Sequence, residues 1–145
     1  MSPREVTMTW FEQGWNQGSE EVFDRLMLPT AQFHGLDMPD GQPLIGPERF
    51  KPLFRAFKSA FPDIRFEVLQ SVTEGDLIAA RCRVTGTHKG DGLGTAPSEK
   101  NVEVHGMVMA RVRDGKIVEG WNAFDFMSMY QQVGMLPALG EWKRA

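Results

Sequence analysis

The stretch NVEVHGMVMARVRDGKIVEGWNAF, Asn101 to Phe124, sets the strongest limit on what this chain can build. Two runs rich in Val, Met and Ile flank Arg113-Asp114-Gly115, a turn signal, so they read as a β-hairpin. Side chains alternate along a strand, and the turn decides which of them share a face. A three-residue loop with Gly115 left-handed pairs Val112 with Lys116. One face then carries Glu103, His105, Met107, Met109, Ile117, Glu119, Trp121 and Asp125. The other carries Val104, Gly106, Val108, Ala110, Val112, Val118, Gly120 and Phe124. A two-residue Asp-Gly loop instead sets Arg113 opposite Lys116, a like-charge pair, and separates His105 from Glu119. The three-residue loop is therefore preferred. Both faces are largely apolar, so each needs a cover. Helices of the same chain can supply one. The flat Val/Gly face fits a second subunit, which gives a homodimer through the sheet. The Met/Trp face, with its few convergent polar groups, has the make-up of a pocket for a small hydrophobic ligand.

The rest of the chain supplies the helices. Val6 to Trp15 is amphipathic, with Trp10, Phe11 and Trp15 at helical spacing. Ser19 is placed to cap a second helix, with Glu20 and Glu21 in its first turn and Pro29 ending it. A short strand follows over Gln32 to Leu36. A third helix is expected over Pro47 to Phe61, kinked at Pro52 or starting near it, because proline removes a backbone donor. Strands are expected over Ile64–Thr73 and Leu77–His88, ahead of the hairpin. The Gly-rich segment Gly90 to Pro97 reads as a mobile rim, with His88 exposed beside it. Met127 to Val133 reads as a short closing helix stopped by Gly134. Helices first and an antiparallel meander after them mean a single α+β domain over residues 1–145, its curved sheet wrapped on the N-terminal helices.

Composition excludes several function classes. The net charge is −3 and the basic residues are scattered, without the basic stripe or stacking motif of a nucleic-acid binder. No apolar run approaches spanning length, and the opening MSPREVTMTW reads as neither signal peptide nor anchor, so no membrane role is expected. The single cysteine, Cys82, cannot form an internal disulfide, which fits a reducing, cytoplasmic setting. It alternates with Ile78, Ala80 and Val84 and reads as a small core residue. The three histidines fall on separate strands without metal-ligand spacing, so no metal is expected.

Glu119 stands out among the polar residues. Beside Trp121, a buried glutamate there would have its pKa raised toward the range useful for proton transfer; on an edge strand it would face water. His105, mid-strand, is a candidate partner or a core histidine bonded to a neighbour. Asp125 sits where strand becomes helix and reads first as an N-cap, then as a catalytic candidate. His34, in QFHGL, divides equally between structural and pocket roles. Asn122 faces away from Glu119 and reads as structural. Trp10, Trp15, Met107, Met109 and Trp121 are the expected apolar lining.

An ordered set of segments carries a resemblance over almost the whole chain. WNQGSEEVFDRLMLPTAQFHG, GPERF with FRAFKSAFPDIRFEV, VTGTHKGDGLGTAPSEKNVEVHGMVMARVRDGKIVEGWNAFD and YQQVGML resemble the SnoaL-like polyketide cyclases. These ester cyclase-like proteins belong to the nuclear transport factor 2-like superfamily. The resemblance implies a cone-shaped α+β barrel (a cystatin-like cone), with its pocket between sheet and helices, usually in a dimer or tetramer. It implies cofactor-independent ring closure by intramolecular aldol condensation, with an acid on the last strand and a histidine on the preceding one. Those positions fall on Glu119 and His105. Here the acid is Glu where those cyclases have Asp, and the loop reads APSEK rather than PPTGK. The leading expectation is therefore cyclase or isomerase chemistry on a small apolar, polyketide-like carbonyl compound. A non-catalytic carrier of a hydrophobic ligand is the alternative. Epoxide hydrolysis, which needs an arginine such as Arg111 between two carboxylates, is a third.

Overall fold

The computed structural model describes residues 1–138 and 140. Helix α1 (Pro3–Thr9) opens on a reciprocal cap, in which Ser2 Oγ accepts from the Glu5 amide and the Glu5 carboxylate accepts from the Ser2 amide. It runs directly into a π-helical turn over Trp10–Asn16, where the Gln17 amide reaches back to the Glu12 carbonyl. The wider turn brings Trp10, Phe11, Gly14 and Trp15 to one buried side. Gly14 lies flat on the Phe23 ring, where a Cβ would sit 2.5 Å from the nearest ring carbon. Helix α2 (Glu20–Leu26) is tied to the next helix by Glu20, which pairs with Arg55 at 2.6 Å.

The chain passes from α2 straight into strand β1 (Met27–His34), so Pro29 does not end the helix as expected but lies inside a strand. The ladder to its parallel neighbour is irregular between Met27 and Gln32, and the missing proline donor falls in that gap. After a two-residue strand β2 (Leu44–Ile45), helix α3 (Pro47–Ala60) runs through Pro52 unbroken. Pro52 and Glu48 are both exposed, so the carbonyl left without a donor reaches water. Strands β3 (Arg65–Glu74), β4 (Leu77–Thr87), β5 (Asn101–Arg113) and β6 (Lys116–Phe124) complete a six-stranded sheet, ordered β2-β1-β6-β5-β4-β3. Only the β1–β6 pair is parallel. Helix α4 (Phe126–Gln132) closes one end, docked on β5 where the Gln132 amide exchanges two hydrogen bonds with the Glu103 backbone. No helix among the described residues is long and apolar enough to cross a membrane.

The sheet is curved and unclosed, and the N-terminal helices pack on its inner face, as the α+β expectation requires. Which face is inner differs from expectation. The turn between β5 and β6 has two residues, Asp114 (φ 52°) and Gly115 (φ 74°), and Arg113 does stand opposite Lys116. The like-charge objection fails because each cation has its own partner. Arg113 Nε donates to Asp76 at 2.9 Å, and Lys116 Nζ donates to the Arg25 carbonyl at 2.6 Å. A bulge at Val118 then advances β6 by one residue, so Ile117 pairs with Val112 but Glu119 pairs with Arg111. Ile117 turns inward, while Glu119, Trp121 and His105 keep a common side.

That common side is the outer one. Val104, Val108, Ala110 and Val112 are buried in the core within the single chain, whereas Met107 and Met109 are 55% and 40% exposed. The flat Val/Gly face is therefore covered by the chain's own helices and is not open to a second subunit. Its two glycines admit aromatic rings: Phe124 lies over Gly106 and Phe33 over Gly120. The Gly-rich segment is also seated rather than free. A Cβ on Gly90 would meet the Ser59 carbonyl oxygen at 1.8 Å, and one on Gly92 would meet that of Ala56 at 2.1 Å. His88, expected to be exposed, is fully buried beneath it, with Nδ1 accepting from the Ser98 amide.

Candidate functional site

Between the inner face and the helices lies a cavity of about 70 Å³. Trp10, Phe11 and Trp15 of the π turn form one wall, and Leu53 and Phe57 of α3 form another. Val84, Val104 and Phe124 supply the sheet side, and Phe126 and Met129 of α4 the end. Leu36, Leu53, Phe57 and Phe126 are only half-buried, so the mouth lies among them. The polar residues of this lining are Thr85 and Asn122, and no ionisable side chain borders it among the described residues.

Asn122 reaches the cavity because it alternates with Glu119 and Trp121 along β6 and so faces inward beyond the bulge. Its Nδ2 donates to the His34 carbonyl at 3.0 Å, which leaves a second N–H and Oδ1 for a ligand. The close approach of the chain to β6 just past the end of β1 depends on Gly35. Its φ is 83°, and a Cβ there would lie 1.8 Å from the Asn122 carbonyl oxygen. A second, smaller hollow of about 30 Å³ adjoins the first. Thr7, Val108, Ala110, Ile117 and Gly120 border it, and both hollows share Trp10, Phe11, Phe33 and Asn122.

The structure divides the sequence-derived candidates between the two sides of the sheet. Trp10 and Trp15 line the cavity, but Met107 and Trp121 stand on the outer face, and Met109 borders only the smaller hollow. Glu119 and His105 share the outer face without meeting. Glu119 stands opposite Arg111, whereas His105 lies at the far end of β5, its carbonyl accepting from the Asp125 amide. The residue that meets Glu119 is His34, with Nε2 2.7 Å from Oε2 and its ring stacked on Trp121 at 5.6 Å between centroids. Both side chains of this pair are more than a third exposed. His105 Nε2 lies 3.5 Å from Glu103. Asp125 accepts from the Ser128 amide at 3.0 Å and caps α4, the first of its two readings.

Sequence reasoning passed over Asn122, since it took the Met/Trp face as inner. The available signal was charge, because Glu103, His105, Arg111 and Glu119 share the Met/Trp face while the Val/Gly face carries none. Arg111 donates to Asp76 at 2.7 Å on the outer face, not to two carboxylates around a cavity as the epoxide reading needs. Burial pushes the Cys82 thiol up to about 11, so it stays protonated in the core. No cluster of metal-ligating side chains occurs among the described residues.

Comparison with known proteins places this architecture. No curated protein matches the sequence. The structure of IdmH, a candidate polyketide cyclase from Streptomyces antibioticus, is 32% identical over 92% of this chain and 99% of its own, with a TM-score of 0.80. A candidate polyketide cyclase from Bacillus cereus is 26% identical over 92% of this chain and 81% of its own, with a TM-score of 0.75. AclR, a candidate hydroxylase from Streptomyces galilaeus, shares the fold at 24% identity and a TM-score of 0.80, covering 96% of this chain and 85% of its own. The sequence pattern of the SnoaL-like polyketide cyclases matches residues 5–133, and with the nuclear transport factor 2-like fold shared as well, the chain belongs to that family.

Proposed function

We propose that this chain binds a small apolar, enolisable carbonyl compound in its inner cavity and closes or isomerises it there without a protein base. The family supports cyclase or isomerase-type function. The observation that carries the finer reading is the cavity itself, aromatic on its walls with the Asn122 amide as a hydrogen-bonding group and no ionisable neighbour. A 1,3-dicarbonyl unit in a compound with a third, remote carbonyl brings its own mobile proton as an enol. In an intramolecular aldol closure the enol carbon forms the new C–C bond to the remote carbonyl carbon. The enol O–H proton ends on the oxygen of that remote carbonyl, so atoms balance within one molecule.

The chain then contributes two things. The aromatic walls fold the substrate so that its ends meet, and well-oriented intramolecular reactions reach effective molarities on the order of 10⁵–10⁸ M. The free Asn122 N–H stabilises oxygen where negative charge grows, and one such donor is worth roughly 100- to 1,000-fold. Benzene fits an engineered cavity of about 150 Å³ in another protein. At about 70 Å³ this cavity is closed down, and a ring enters only as Leu36, Leu53, Phe57 or Phe126 moves.

The test uses Asn122→Leu with phenyl alkyl ketones as binding probes and an enolic 1,3-diketone that carries a remote third ketone as substrate. Wild type should bind the ketones and accelerate closure, while the variant loses about tenfold in ketone affinity and at least that in rate. Ketone binding without any turnover would replace catalysis with the carrier reading. A second reading rests on the 2.7 Å His34–Glu119 pair beneath Trp121, as an acid–base dyad working at the outer face. We also infer that two copies associate through that outer face.

A further inference from the structure

The two hollows share a wall, and that wall holds the polar group. Asn122 borders both, together with Trp10, Phe11 and Phe33. A ligand oxygen bonded to its free N–H therefore sits between a larger apolar space of about 70 Å³ and a smaller one of about 30 Å³.

The smaller hollow has a definite origin in the sequence. Ala110 and Gly120 are register partners on the inner face, and two of the smallest residues side by side leave a dimple in the sheet. Phe33 covers Gly120 on one side, with its ring 3.0 Å from where a Cβ would stand, and Thr7 of α1 borders the space from the helix layer. Protein interiors rarely leave such voids, and apolar ones stay dry. One water-sized group needs about 10–15 Å³, so this space holds about two carbon-sized groups.

We propose that the ligand is an unsymmetrical ketone or its enol, with its oxygen at Asn122, a ring or bulky arm in the main cavity, and a short unbranched alkyl arm beside Ala110 and Gly120. The inference rests on the ligand-pocket reading above and adds the shape and chain length of what enters. Ala110 and Gly120 become the residues that set the permitted length of the short arm.

The experiment measures dissociation constants of acetophenone, propiophenone and butyrophenone by calorimetry or ligand-observed NMR. For wild type, each added methylene should tighten binding by about fourfold. Ala110→Val fills the hollow, so butyrophenone should weaken by about tenfold while acetophenone stays within twofold. Val108→Ala enlarges the same hollow and should shift the optimum to a longer chain, a readout that stands even if Ala110→Val folds poorly. Equal weakening of all three ketones by Ala110→Val, or wild-type affinity indifferent to chain length, overturns the two-arm ligand and leaves the pocket reading intact. No binding of any ketone to the wild type overturns both.

Discussion

At the level of single residues, the chemistry turns on which side of β6 a side chain leaves. Asn122 and Glu119 are separated by three positions along the chain, yet one borders the cavity and the other meets His34 on the far side of the sheet. A carboxylate on the outer face has no path to a ligand in the inner cavity except through the backbone. The His34 carbonyl does hold the Asn122 amide, so the outer pair touches the strand that positions the inner group. Glu119→Gln keeps the side chain's shape and removes its charge, which separates the two readings of catalysis. Ketone affinity should stay within twofold, and closure of the enolic substrate should fall no more than a few-fold, since Asn122 is untouched. A collapse of rate at unchanged affinity would move the chemistry to the His34–Glu119 dyad.

Among the elements, the β5–β6 hairpin decides the layout, and Asp76 steadies it. One carboxylate in the turn just before β4 takes both Arg113, at 2.9 Å, and Arg111, at 2.7 Å. The Arg113 hydrogen bond, with Arg111 beside it, holds the Asp76 carboxyl below the usual carboxylate range. Its folded pKa is depressed, so its contribution is present above the unfolded value near pH 4 and disappears as pH falls through the folded value. Wild type should therefore melt higher than Asp76→Asn at pH 7, and the gap in Tm should close as the pH drops below about 4. A gap that persists unchanged at pH 2 would mean the ion pairs do not stabilise the hairpin. Asp76 also explains what the sequence could and could not reveal. The helices, the four long strands and the helices-then-meander order are legible from periodicity and from the Asp125 cap, whereas Ser19 stands at the start of α2 without a side-chain cap bond. The turn type was not legible, because a like-charge pair looks unfavourable until distant Asp76 and the Arg25 carbonyl are brought to it, and the inner face was not plain, because both faces of the hairpin are largely apolar and the packed helices decide which is covered. Nor does any local signal announce the bulge at Val118, which depends on fitting β6 between β5 and the parallel strand β1.

For the molecule as a whole, the consequence is that its exposed apolar surface lies opposite the expected face. Val72, Ala79, Met109 and Trp121 are successive register partners across β3, β4, β5 and β6, so they form one row over the outer side. Met107 and Ala123 add to it in the next row but one, which Arg81 and Gln70, hydrogen-bonded to each other, complete on the β3 side. Val72 is 72% exposed and Met107 55%, a large apolar surface for one chain to leave in water. Charged rows flank it, Glu67–Arg83 with His105 on one side and Asp76, Arg111 and Glu119 on the other. An apolar centre with an ionic rim is the anatomy of a protein interface, and both signs of charge at each edge suit a two-fold pairing of like surfaces. Sedimentation equilibrium should give twice the chain mass for wild type. Val72→Lys with Met107→Lys puts unpaired charge into that contact and should return the protein to a monomer with its far-UV spectrum unchanged. Ketone binding separates this from a fault in the cavity. The inner walls come from one chain, so the monomeric variant should bind butyrophenone as wild type does. A wild-type monomer, or a double variant that still sediments as a dimer, would show that the outer face is not where two copies meet.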